Sequence, residues 1–182
     1  VRLFPVITAG AVVGDGGLFF AMVNDIRDNG VALPTTTSYN GLDIPFVYPP
    51  AGLWLAAVIG EVGGIQTMDI LRWMPALVSI ASVGAFALVA LRILERPTAI
   101  GATLAYALMP SAYGWVVAGG GVTRGIGLLC ALLAAAIAAG HGRRPASWRS
   151  TIACGGLLGL ALLSHPQAGI FGVLAATAFS WR

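Results

Sequence analysis

The sequence contains no lysine, and charged residues of any kind make up only 9% of its 182 positions. A soluble domain of this size needs about a quarter of its residues charged to keep its surface wet. With 58% hydrophobic residues and a mean hydropathy of +0.87, the chain has lipid as its solvent. Cysteine is nearly missing as well. Cys130 and Cys154 lie inside apolar runs with no CxxC spacing and no neighbouring histidine. They read as small buried hydrophobes and leave the redox compartment undetermined. A net charge of +3 would hint at nucleic acid in a soluble domain. Here the basic residues, all arginine, fall in short loops between apolar runs, where they are topology signals and imply no nucleic-acid partner.

What the chain does have is one long polar stretch, residues 13–54, in an otherwise apolar sequence. Before it, an apolar run with Gly10 and Gly14 at small-xxx-small spacing ends at Gly14-Asp15-Gly16-Gly17. Residues 16–30 then carry Phe19, Val23 and Ile26 on one side and Asn24, Asp25, Arg27 and Asp28 toward the end, before an Asn29-Gly30 stop. That pattern predicts an amphipathic helix lying along the interface. Residues 33–45 read as a Thr-, Asn- and Gly-rich loop, and 50–64 as an apolar segment too short to span, hence re-entrant. Spans are expected at about 1–14, 70–92, 98–117, 123–140, 151–164 and 167–181, with an outer loop over 15–69. The fold class expected is all-α: a polytopic transmembrane bundle with juxtamembrane helices in its outer loop. Only about a dozen residues precede Asp15, roughly 20 Å of helix against a hydrocarbon core of about 30 Å. The first span looks cut and the last run stops abruptly at Trp181-Arg182, so the chain reads as the N-terminal part of a longer protein.

Charge sets the orientation. One side gathers Arg92, Arg96, Arg143, Arg144, Arg149 and Arg182 against Glu95 alone. The other gathers Asp15, Asp25, Asp28, Asp43, Glu61 and Asp69, with Arg27, Arg72 and Arg124. Positive loops mark the cytoplasm, so the acidic loop is expected to face outward. Making 50–64 a full span would put the acidic loop on the Arg-rich side, which the arginine asymmetry rejects.

These motifs, in this order, resemble the GT-C superfamily of multi-span glycosyltransferases that use polyprenyl-phosphate sugars, including protein O-mannosyltransferases and lipid A aminoarabinose transferases. Gly14-Asp15-Gly16 is similar to the acidic motif closing the first span of such enzymes, 19–29 to their surface helix, and Tyr48-Pro49-Pro50-Ala51-Gly52-Leu53 to their YPPL-like segment. Gly120-Gly121-Val122-Thr123-Arg124 and Leu163-Ser164-His165-Pro166 resemble motifs of bacterial members. The resemblance implies a cell-envelope enzyme, integral to a bacterial plasma membrane, moving a sugar from a polyprenyl-phosphate donor to a glycan, lipid or protein acceptor at the extracytoplasmic face. Many members carry a second acid in the outer loop after the third span. Residues 119–124 hold none, so a two-acid metal site does not carry over.

Such a transfer needs a base at the acceptor hydroxyl and cations at the departing phosphate. Asp15, just past a span end, is the candidate catalytic carboxylate; its competing role is a plain N-cap of the surface helix. Arg124 and Arg72 are candidate phosphate ligands, since a guanidinium donates two parallel hydrogen bonds. Arg124 also opens a helix after a Gly-rich turn, where free N–H groups favour an anion. Either arginine could instead snorkel to the interface. His165, before Pro166, is a candidate phosphate ligand or proton shuttle, or a satisfied interface residue. Asp43 is a candidate contact to an acceptor sugar, or simply a wet loop residue. A divalent metal between Asp15 and Asp43 or Glu61 stays open, without supporting ligand spacing.

Two other functions compete. A transporter or flippase would show internal repeats and ionisable groups at mid-membrane, whereas here no repeat appears and charges sit at span ends. A non-catalytic membrane scaffold would bind no polyprenyl phosphate.

Overall fold

The computed structural model describes residues 2–8, 14–117, 121–141 and 147–180. Its axle is α7 (Val122–His141), whose Gly125, Gly127, Ala131, Ala134, Ala135 and Ala138 are all buried. Side chains this small let neighbouring backbones come close. Around α7 pack α4 (Thr67–Ile93), α8 (Trp148–Ser164) and α9 (Pro166–Ser180). Among the described residues, α4 and α7 are the two helices long and apolar enough to cross a membrane. Leu77, Ile80, Leu88 and Leu91 of α4 stay exposed, as lipid-facing side chains would. Of the first expected span, the structure describes α1 (Phe4–Thr8), and residues 9–13 lie outside the described set, as do Arg143, Arg144 and Arg182.

The segment leading into α4 is built from two short helices locked face to face. In α2 (Gly16–Asp28) the buried Phe19, Met22, Val23 and Ile26 follow the i, i+3, i+4, i+7 spacing of one helix face. They meet Leu53, Ala56 and Ala57 of α3 (Pro50–Gly63), together with Ile70 and Leu71 of α4. Burying each large side chain contributes about 1.5–3 kcal/mol, enough to hold α2 against the bundle. Pro50 opens α3 at a position needing no N–H, and Gly64 closes it with φ 62°. Arg27 clasps the α3–α4 turn, donating to the Gly60 and Ile65 carbonyls and to Thr67 Oγ1, and pairing with Glu61 at 3.4 Å.

Two expectations need correcting. Residues 33–45 are not plain loop: β1 (Thr36–Tyr39) and β2 (Leu42–Pro45) form an antiparallel hairpin, with Ser38 opposite Asp43. Its two-residue turn, Asn40-Gly41, has both φ angles positive (55° and 71°), as a tight hairpin turn matched to the twist of its strands requires. Asp25 of α2 holds the hairpin by accepting from Thr37 Oγ1, Ser38 N and Ser38 Oγ. The span expected over 98–117 is broken: α5 (Arg96–Leu108) stops before Pro110, a 3-10 turn covers Pro110–Ala112, and α6 (Gly114–Val117) resumes. Proline lacks an N–H and disfavours helix in the residue before it.

Arg2 seals that break. Its side chain is buried and donates to the carbonyls of Tyr106 and Ala107 in the last turn of α5, and to both the carbonyl and hydroxyl of Ser79 in α4. The guanidinium lies over the rings of Tyr106 and Tyr113, 4.7 and 4.9 Å from their centroids. A cation at a helix C-terminus is favoured by the aligned peptide dipoles.

Candidate active site

Four chain segments converge on a small cleft at one end of the bundle. Gly14 and Asp15 come from the start of α2, Tyr48 from the approach to α3, Trp115 from α6, and Gly121, Thr123 and Arg124 from the start of α7. Phe19 forms part of the wall, its ring edge-on to Tyr48 with centroids 5.2 Å apart. Glycine at position 52 makes this meeting possible. A Cβ there would sit 2.8 Å from the Cα of Thr123, a backbone atom that cannot swing aside. The N-terminal turn of α3 therefore lies directly on the N-terminal turn of α7.

Asp15 stands at the N-cap position of α2, yet its side chain makes no capping hydrogen bond. Among the described residues nothing pairs with this exposed carboxylate. The capping role therefore does not account for it. Arg124 is fixed from one side only: Nη1 donates to the Trp115 carbonyl at 3.0 Å, and the guanidinium lies 5.5 Å from the centroid of the Trp115 ring. Its remaining donors stay available, beside the first-turn N–H groups of α7 that no helical carbonyl takes. A carboxylate and a guanidinium thus share one cleft without forming an ion pair with each other. The enclosed volume is about 70 Å³. Pockets that swallow a whole ligand run to roughly 300–1,000 Å³, so this one admits a small polar group such as a phosphate, with the rest of the ligand outside.

The other predicted residues lie elsewhere. His165 caps the C-terminus of α8, one residue before α9, and does not line the cleft. Burial, and then the charge of Arg124, hold its imidazole below the ordinary histidine range, and its buried Nδ1 has no partner. It packs behind the first turns of α7, where a Cβ on Gly127 would come 2.9 Å from the His165 Cβ. Arg72 donates from Nε to the Val6 carbonyl at 3.0 Å and leans over Trp73, tying α1 to α4 away from the cleft. Asp43 is exposed on β2 and lines no part of it. Asp15 and Arg124 are the two predicted residues that the fold brings together. Tyr48 and Trp115 were not singled out as site residues. Tyr48 belongs to the YPPL-like segment, and a tryptophan near a span end, such as Trp115, is by sequence alone an ordinary interfacial aromatic.

The far end of the bundle differs in character. There Arg92 at the end of α4 donates to the Ala136 carbonyl of α7, and His141 bonds Ser150 through Nε2 and Oγ at 2.8 Å. Among the described residues no three His, Cys, Asp or Glu side chains come together as a metal site would require.

Comparison with known proteins agrees with this architecture at family level. Neither the curated proteins nor the solved structures gave a match. The profile of the dolichyl-phosphate-mannose-protein mannosyltransferase family matches residues 47–182, a range that includes Arg72, Arg124 and His165 and leaves Asp15 outside. A match running from just before α3 to beyond the end of α9 makes this chain a member of that family of GT-C membrane glycosyltransferases.

Proposed function

We propose that the protein transfers a sugar from a polyprenyl-phosphate donor to an acceptor hydroxyl at the outer face of a bacterial plasma membrane. The observation that carries this reading is that Asp15 and the half-buried Arg124 line one small cleft. Asp15 takes the proton of the acceptor hydroxyl as its oxygen bonds to the anomeric carbon. The bond from that carbon to the phosphate oxygen breaks, and the electron pair leaves on the prenyl phosphate. Arg124 and the N–H groups opening α7 stabilise the charge that collects there, a contribution that grows in the water-poor rim of a bilayer. Tyr48, Phe19 and Trp115 present apolar and aromatic surface to the sugar ring and the lipid neck. Support for an outward cleft comes from the arginines: Arg92, Arg96 and Arg149 all belong to the helix ends remote from it.

The test is transfer from a radiolabelled polyprenyl-phosphate hexose by protein in nanodiscs. Asp15→Asn should lower turnover about 10²–10⁴-fold with little change in donor affinity, the range for loss of a positioned base. Arg124→Lys should weaken donor binding instead, because a single ammonium cannot replace the planar fork. Undiminished turnover in the Asp15→Asn variant rules the reading out. So does accessibility labelling that puts positions 15 and 149 on one side of the membrane.

A further inference from the structure

A second cavity lies on the other flank of α2, between that helix and the α3–α4 turn. At about 390 Å³ it is larger than the cleft, and its lining is mainly polar. Its floor is rigid. Arg27 is anchored to Glu61, Thr67 and two backbone carbonyls, and Thr67 Oγ1 donates to Asn24 Oδ1 at 2.6 Å. That leaves a set of unused groups facing a fixed frame. Among the described residues, the Asn24 amide N–H₂, the second oxygen of Glu61, the Asp28 carboxylate and the Gln66 amide have no partner. Phe20, 37% exposed, adds an aromatic wall.

The charge of this cavity is the reverse of what a phosphate needs. It holds one guanidinium, already engaged, against two carboxylates. An anionic headgroup is repelled here, whereas the cleft at Asp15 offers a free arginine and a helix N-terminus. Carboxylates that accept, amides that both donate and accept, and an aromatic wall suit a ligand rich in hydroxyls that do both, with C–H faces between them. That describes a neutral saccharide. The two sites sit on one helix. Asn24 follows Asp15 by nine positions, about 13 Å along the axis, a distance that an acceptor of several sugar units spans.

We infer that this cavity is the acceptor subsite, and that the acceptor is an uncharged oligosaccharide whose reacting end reaches Asp15. The inference rests on the proposed transfer reaction for its meaning, but its binding chemistry is separately measurable. The experiment presents the full chain in nanodiscs to an array of neutral hexose and pentose oligosaccharides, two to five units long. Amino sugars and Ser/Thr-rich peptides are printed alongside. Saturable binding to a subset of the neutral oligosaccharides is expected, weakened about tenfold by Asp28→Ala and by Gln66→Ala, each removing a hydrogen-bonding group. Both positions are exposed, and a thermal melt matching wild type shows that the fold is kept. No saturable neutral-sugar binding, binding indifferent to both variants, or capture of peptides or amino sugars instead overturns the inference. Sugar binding intact while no donor sugar is transferred sinks the enzyme reading and leaves this site standing.

Discussion

Arg2 donates through Nη2 to the backbone oxygen of Tyr106, the carbonyl that Pro110 leaves without its helical partner. In an unbroken helix that oxygen would accept from the N–H four residues on, and at position 110 there is none. One side chain, 104 positions away in sequence, thereby closes the end of α5 and fixes the turn into α6. That turn matters because α6 carries Trp115, whose carbonyl holds Arg124. The sealed break and the cleft are mechanically linked.

Replacing Arg2 with methionine should therefore destabilise the protein by about 2–4 kcal/mol. It takes the donor away from the Tyr106 and Ala107 carbonyls at the broken end of α5, in an apolar setting, and removes the bonds to the Ser79 carbonyl and hydroxyl. Lysine should recover only part of the loss, since one ammonium cannot reach all of these acceptors while lying between two rings. Unfolding of the purified variants in matched detergent measures this. Equal stability of wild type and Arg2→Met would show that the contacts carry no net energy.

Much of this architecture was legible in the sequence where hydrophobic period and punctuation agreed. The i, i+3, i+4, i+7 set of α2 and the Pro-opened, Gly-closed α3 are local signals, and the structure starts and stops those helices within two residues of where the sequence suggests. The hairpin is not read from the sequence: Asn40-Gly41 suits a tight turn, but the polar, exposed strands lack the alternating apolar residues that flag a half-buried sheet. Asp15 and Arg124 could be nominated singly. That they share a cleft depends on how closely Gly52 lets α3 approach α7, a contact between residues far apart in sequence that no periodicity reports. The role of Arg2 was invisible for the same reason, because its partners lie in α4 and α5.

Asp25 supplies a pH dependence confined to α2 and the hairpin. Burial pushes its pKa up, but hydrogen bonds from Thr37 and from the Ser38 backbone and side chain outweigh that and leave it lowered overall. A carboxylate with a depressed folded pKa adds stability that is complete above its unfolded value, about 3.9. That contribution is lost as pH falls from there through the folded value. Acidification into this window should free the hairpin from α2 before the bundle opens, seen as lost amide protection, relative to the intrinsic exchange rate at each pH, at Thr37 and Ser38. In Asp25→Asn the hairpin amides should already have low protection factors at neutral pH, and those factors should change little on acidification. A wild-type hairpin whose amide protection stays constant as pH falls progressively below about 3.9 would contradict the assignment.

His165 and Arg124 test whether the cleft communicates with the helix junction behind it. Burial first, and the Arg124 charge second, lower the His165 pKa from its ordinary value near 6.5. The imidazole is therefore neutral at physiological pH, which suits a group packed behind a cation and argues against a standing charge on the phosphate. By linkage, a histidine with a depressed folded pKa favours the folded state above about 6.5. That advantage shrinks as pH drops from there toward the folded value. Arg124→Met removes the smaller of the two causes, so the His165 pKa should rise part of the way and stop short of 6.5. The acid-side loss of stability should shrink in step. His165→Gln, keeping a polar group of similar reach, should abolish that acid-side loss while leaving neutral-pH transfer within a few-fold of wild type. Titrating the histidine ring protons by NMR, with His141→Asn to remove the other histidine signal, gives the direct reading. An unchanged His165 titration in Arg124→Met would mean that the arginine head points away from the junction, and the electrostatic link between cleft and junction would fail.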